Sequence, residues 1–200
     1  MRIVLLVEGE TEIALKAVLK QFLDQHAAQH GQPYTRLQTR KIKSLNQESL
    51  GRQVRWELQA RENTAVVGLI DVFPRFKHAG AAKDYLVEAA RSAGVSRGFH
   101  AHVAQYDVEA WLLPYWDVIC DRIGFRQSRP GHNPEEVDDV KPPSYHLREL
   151  YRRAKREYTK TDQMPIILAD KDLTIAANAC PEFKSFLNTL LTLSNLPLLP

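Results

Sequence analysis

Carboxylates stand where this chain's apolar segments stop. The stretch "LLVEGETE", residues 5–12, passes from a hydrophobic run straight into Glu8, Gly9, Glu10 and Glu12. The run "TAVVGLID" closes on Asp71, and "FHAHVAQYDVEAW" carries Asp107 and Glu109 just beyond its apolar part. Acids brought together repel one another, and a cation offsets that cost. An all-oxygen donor set suits a hard ion, and Mg²⁺ typically takes one or two carboxylates while keeping waters for a substrate phosphate. Glu8 and Glu12 are four apart, so a helix starting at Gly9 or Glu10 lets both face one ion. Gly9 between them permits close backbone approach. Glu10 has a plainer reading as a first-turn helix acid, favoured by the macrodipole by ~0.3–1 kcal/mol. An acid placed directly after a strand has no such explanation, and Glu8 reads as a metal ligand.

These residues need elements to hold them. Ile3–Val7 predicts a buried strand. Leu15, Val18, Leu19, Phe22 and Leu23 share one helical face within a helix over Thr11–His26, ended by Gly31 and Pro33. Leu37–Ile42 reads as a short strand, Gln47–Arg61 as a helix and Thr64–Asp71 as a second clear strand. Ala81–Ala93 reads as an alanine-rich helix and Phe99–Gln105 as a third clear strand. Asp107–Trp111 starts a helix that runs into Pro114. Apolar strands alternating with helices argue for an α/β fold: a Rossmann-like parallel sheet of about four strands flanked by helices. The functional edge of such a sheet lies at the carboxyl ends of its strands. Glu8, Asp71 and the pair Asp107 and Glu109 all leave from that edge.

Beyond Gly124 the character changes. Residues 126–143 hold five Pro or Gly residues among Glu135, Glu136, Asp138 and Asp139, which predicts a loop. A helix over Ser144–Tyr158 and a last helix from Pro181 follow. The expected organisation is an α/β domain over 1–124 with a C-terminal helical extension over 125–200 packed on it. The chain has 200 residues, 44% of them hydrophobic, and a net charge of +3. That charge is too small to name nucleic acid as a partner by itself. Two cysteines make no disulfide framework, and a reducing cytoplasm fits best. No signal peptide is expected at the N-terminus, and no apolar run approaches the ~20 residues of a membrane span.

Between Lys141 and Lys160 stand seven Lys or Arg residues against two acids. In one continuous helix Arg148, Arg152, Lys155 and Arg156 would share a face, opposite Leu147, Leu150, Tyr151, Ala154 and Tyr158. That cationic face suits phosphates, and equally an acidic face of a partner or plain solvent. His100 and His102, at i and i+2, read as strand residues or as transition-metal ligands. Trp111, Tyr115 and Trp116 read as core or as base-stacking platforms. Cys180 precedes a helix-starting proline and has no His or Asp partner in view, so it reads as structural. No Walker-type phosphate loop is present, so ATP hydrolysis would come from another protein.

The motif "LLVEGETE" resembles the first motif of the Toprim domain, and "GLIDVF" resembles the second, a strand ending in Asp-x-Asp. The likeness extends to a Toprim-related bacterial family of unknown function, akin to the OLD nucleases, with "VEGxTE", then "IDxY/F", then a strand and "HEFEALLF". Here the last reads "QYDVEAWLL", and "PPSYHLRELYRRAKREYTK" and "CPEFKSFLNTL" are similar to the family's later segments. The resemblance covers nearly the whole chain. It implies Mg²⁺- or Mn²⁺-assisted chemistry on phosphodiesters, hence a nuclease subunit. It also implies an AAA/ABC-type ATPase partner in anti-phage defence, and leaves a homo- or hetero-oligomer open. Carried over by residue, Glu8 matches the motif-one glutamate, Glu12 the acid four residues on, and Asp71 the first motif-two aspartate, all as metal ligands. Phe73 stands where the second aspartate would be, and Glu109, matching the second glutamate of "HEFE", could supply the missing ligand. Lys160 matches a family lysine that would stabilise charge on the phosphate, with Lys171 as its rival. The competing implication is a catalytically inactive Toprim-fold scaffold that binds an ATPase or nucleic acid.

Overall fold

The computed structural model describes residues 1–62, 64–131, 133–136 and 141–200, with backbone alone at Thr11 and Glu12. Its centre is a four-stranded, all-parallel sheet in the order β2-β1-β3-β4, with β1 at Arg2–Val7, β2 at Arg36–Lys41, β3 at Thr64–Asp71 and β4 at Phe99–Ala104. Helices α1 (Glu10–Gln29), α2 (Gln47–Gln59) and α3 (Ala79–Ser92) make the crossovers. Side chains alternate along each strand, so both faces must be covered. Ile3, Leu5, Val7, Val67 and Leu69 enter one core with the α1 stripe Leu15, Leu19, Phe22 and Leu23. Val4, Leu6, Val66, Ile70 and Val103 enter a second core under α2 and α3.

Those two helices pack unusually close. A Cβ on Gly51 would lie 2.1 Å from the Ala89 carbonyl oxygen and 2.8 Å from Ala93 Cβ. Glycine inside a helix costs about 1 kcal/mol relative to alanine, and the near contact of the two backbones explains its presence. Asn46 starts α2 by accepting the Glu48 and Ser49 N–H groups on its side chain.

The first core continues past residue 124. A 3-10 helix, Val108–Tyr115, leads into α4 (Trp116–Ile123), and α5 (Pro143–Arg153), α6 (Lys160–Leu168), α7 (Leu173–Ala179) and α8 (Pro181–Leu193) pack around it. Trp111 stacks on Phe183 with centroids 4.3 Å apart and lies 5.8 Å from Phe186. Trp111, Tyr115 and Trp116 are all buried, so they are core residues and not base platforms. His102 is core too: its Nε2 meets the Thr189 hydroxyl at 2.9 Å, and burial, ahead of nearby Lys83, lowers its pKa to about 4. Cys180 is fully buried, and burial raises its thiol pKa, as a structural cysteine requires.

Two expectations about the C-terminal part need correction. The helix expected over Ser144–Tyr158 stops at Arg153. Lys155 takes φ 55°, its N–H reaches the Arg152 carbonyl, and the Arg156 N–H reaches back to Tyr151 at 2.9 Å. This is the left-handed helix stop usually built on glycine, here with lysine in the glycine place. Arg148, Arg152, Lys155 and Arg156 therefore do not share one helical face. Helices α6 and α7 were not expected at all. Pro165 lies inside α6 and argues against a helix by its missing N–H, yet Met164, Ile167 and Leu168 are buried and hold that segment in place.

Candidate functional site at the carboxyl edge of the sheet

Parallel strands deliver their carboxyl ends to one side, and Asp71, Asp107 and Glu109 all act there on the Lys160 ammonium. Asp71 is the last residue of β3, and its Oδ1 accepts the Val108 N–H at 3.1 Å, which fixes the start of the 3-10 helix. Asp107 follows β4, is 4% exposed, and its Oδ2 accepts the Ser144 N–H at 3.2 Å in the first turn of α5. A helix N-terminus is a favourable place for a carboxylate. Glu109, 0% exposed, is the second residue of the 3-10 helix and meets the Lys160 ammonium at 2.8 Å and 3.0 Å through its two oxygens.

The charges do not balance. Lys160 opens α6, and burial works against its charge, but Glu109, Asp107 and Asp71 together outweigh that and raise its pKa. Three carboxyls thus act on one ammonium. Burial, then repulsion from Asp107, pushes Glu109 up to about 7. Burial likewise raises Asp107, against the opposing pull of Ser144, Lys160 and Arg148. The Tyr158 hydroxyl is buried nearby, and burial followed by the charges of Glu109 and Asp107 keeps it protonated. Asp107 Oδ1 is buried without a hydrogen-bond partner among the described residues.

The remaining candidates divide. Glu8 leaves the same edge one residue past β1, and one of its oxygens is held by Arg75 while the other, Oε2, is buried without a partner among the described residues. The Glu12 side chain lies outside the described residues. Glu10 pairs with Lys41 at 2.9 Å on the surface. Phe73 is 38% exposed beyond β3, its N–H bonded to the Tyr106 carbonyl. Arg148 is exposed and acts on Asp107, whereas Arg152 and Arg153 are both engaged by Glu149. Lys155 and Arg156 are exposed in the turn after α5, and Lys171 stands in the exposed turn between α6 and α7. Among the described residues no three His, Cys, Asp or Glu side chains form a ready-made cation site.

Tyr158 and Arg75 were missed as site residues, and Asp107 was placed at the edge without being given a role there. Asp107 had a signal, since it is the first acid beyond β4 and two residues ahead of Glu109. Tyr158 looked like packing because its spacing continued an apolar face.

A second buried acid lies nearby in the chain. Glu135 is 8% exposed and accepts the Glu182 N–H at 3.1 Å at the start of α8. Burial, with added repulsion from Glu182, raises it to about 7. A carboxyl whose folded pKa exceeds its unfolded value stabilises the fold at low pH and loses that contribution as pH rises towards 7. Glu135→Gln should therefore remove a fall in stability on the order of 1–3 kcal/mol between pH 4.5 and pH 7. Urea unfolding of both proteins at pH 5 and pH 8 checks this, with the variant the more stable at pH 8.

An α/β protein with a buried acidic cluster at the carboxyl edge of a parallel sheet is the class these features define. The chain belongs to the family described as Domain of unknown function (DUF4276), whose profile matches residues 7–191. The C-terminal region of the Burkholderia pseudomallei OLD protein is a similar solved structure, at 15% identity and TM-score 0.47 over 92% of this chain and 98% of that one. No curated protein matches the chain. Among the described residues no helix is long and apolar enough to cross a membrane.

Proposed function

We propose that the protein is a Toprim-type, Mg²⁺- or Mn²⁺-dependent nuclease subunit that cleaves nucleic-acid phosphodiesters, working in the cytoplasm with an AAA/ABC-type ATPase in anti-phage defence. The observation that carries this reading is the gathering of Asp71, Asp107 and Glu109 around the single ammonium of Lys160. The donor set fits a hard cation: every donor is a carboxylate oxygen, and Glu8 Oε2 is buried without a partner among the described residues, as is Asp107 Oδ1 beside that set. Glu8, Asp71 and Glu109, with Glu12, are the residues that would hold the ion. Bound there, a divalent cation orients a water and neutralises phosphate charge.

The chain's own groups supply the rest. Lys160, one-third exposed and fixed by Glu109, can place positive charge against a phosphate. The protonated Tyr158 hydroxyl can donate a hydrogen bond beside it. Arg148 acts on Asp107, and as phosphate contacts it and the exposed Arg152, Lys155 and Arg156 would make binding salt-dependent. The motif departure at Phe73 favours a second reading, a scaffold that keeps the fold without cleavage.

The test is incubation with plasmid, single-stranded DNA and tRNA in Mg²⁺ or Mn²⁺, with the partner ATPase present. The expected result is cleavage that falls by roughly 100-fold or more in Glu8→Ala and in Asp71→Ala, at or beyond the upper end of losses from second-shell metal-site changes. Undiminished cleavage in both variants rules out this site. No cleavage of any substrate by the assembled complex favours the scaffold.

A further inference from the structure

One surface feature is unexplained by the core or by the acidic edge. Along α2, Arg52, Arg55, Trp56 and Gln59 stand at i, i+3, i+4 and i+7, and all four are exposed. The opposite face of the helix carries Leu50, Val54 and Glu57 into the interior. Trp56 is 64% exposed in the middle of the outer stripe, where packing gives a large apolar ring no reason to be. The stripe flanks a groove of about 710 Å³ whose other wall is the end of edge strand β2 with Arg40, Lys41 and Lys43.

The groove is basic. Some of its cations already have acids: Arg40 lies 3.5 Å from buried Glu57, Arg52 3.2 Å from Glu48 and Lys41 2.9 Å from Glu10. Glu57 also pairs with Arg2 at 3.0 Å, so its charge is shared. Arg55 reaches the Ala93 carbonyl at 3.4 Å, and neither Arg55 nor Lys43 has a carboxylate partner among the described residues. Exposed pairs such as Arg52–Glu48 are weakly held and yield to a stronger anion. One end of the groove reaches the carboxyl edge: Lys41 sits opposite Val7 in the register of β2 and β1, one residue before Glu8.

We propose that this groove binds single-stranded nucleic acid, with a base stacked on Trp56 and phosphates on Arg40, Lys43, Arg52 and Arg55. An aromatic face set among cations is the combination that holds a single strand without reading its sequence, because every base has a π-face and every nucleotide a phosphate. A duplex hides its bases and cannot use Trp56. The inference rests on the nuclease reading for its purpose, since it names single strands as the substrate and leads them towards the acidic edge, but binding here needs neither metal nor cleavage.

The experiment is a titration with an oligothymidylate of roughly 16 nucleotides in EDTA at low salt. The protein has three tryptophans, and Trp111 and Trp116 are buried, so a fluorescence change on binding reports Trp56. Emission should be quenched. Anisotropy of the labelled oligonucleotide should show Trp56→Ala binding roughly ten-fold or more weakly and Trp56→Phe close to wild type. Lys43→Ala with Arg55→Ala should flatten the dependence of log affinity on log salt by about 1.4, from ~0.7 per phosphate contact on a single strand. Unchanged emission at saturating oligonucleotide, or equal affinity in wild type and Trp56→Ala, overturns the proposal and leaves the stripe to an acidic protein surface. EDTA separates the two readings: oligonucleotide binding through Trp56 by a protein that cleaves nothing upholds this surface while the nuclease reading falls.

Discussion

Lys160→Ala is expected to destabilise the protein by about 3–5 kcal/mol, the loss typical when one partner of a buried ion pair is removed. Glu109 has no exposed surface and both its oxygens face the Lys160 ammonium. Without that ammonium Glu109 loses the cation that offsets its burial and its repulsion from Asp107. Its pKa then rises beyond the already elevated value, and it takes up a proton. A raised folded pKa stabilises at low pH, so the variant should recover part of its loss as pH falls from 8 to 5. Urea unfolding across that range measures both effects. Adding Glu109→Gln to Lys160→Ala should restore stability at pH 8, because the uncompensated charge is gone. A Lys160→Ala protein as stable as wild type at pH 8 would mean that solvent, and not Lys160, neutralises Glu109.

Trp111→Ala should cost about 3–5 kcal/mol through a different physics, the cavity left in a core that cannot collapse around it. Trp111 is 0% exposed and stacks against Phe183 and Phe186, so it joins the 3-10 helix that carries Glu109 to α8. The same substitution at Trp56, 64% exposed, should change stability by no more than ~0.5 kcal/mol. Thermal or urea unfolding of the two variants side by side provides the comparison. A small loss at Trp111 would show that the C-terminal helices are not integral to the core.

The strands were legible because buried parallel strands leave continuous apolar runs: β3 falls on Thr64–Asp71 as read, and β1 and β4 differ only at their ends. The acids of the edge were legible for the same reason, since Asp71 ends β3 and Asp107 is the first acid beyond β4. What periodicity could not show is where a helix yields to tertiary packing. Lys155 takes a left-handed conformation that its residue type disfavours, and Pro165 sits inside a helix that its residue type argues against. The first closes a local helix stop without the glycine that usually signals one, and the second is held by the burial of Met164, Ile167 and Leu168. Tyr158 became a site residue only because the chain reverses after Arg153 and returns Lys160 to Glu109. The pairing of Glu8 with Arg75 joins positions 67 residues apart and has no local signature.

If the acidic edge holds a divalent cation, as we propose, calorimetric titration of Mn²⁺ and Mg²⁺ into the protein at pH 8 should show saturable binding. That binding should weaken about ten-fold or more in Asp71→Asn and in Glu109→Gln, since each removes a charged oxygen donor from a hard ion. Absence of binding to the wild type, or equal affinity in wild type and both variants, would contradict it.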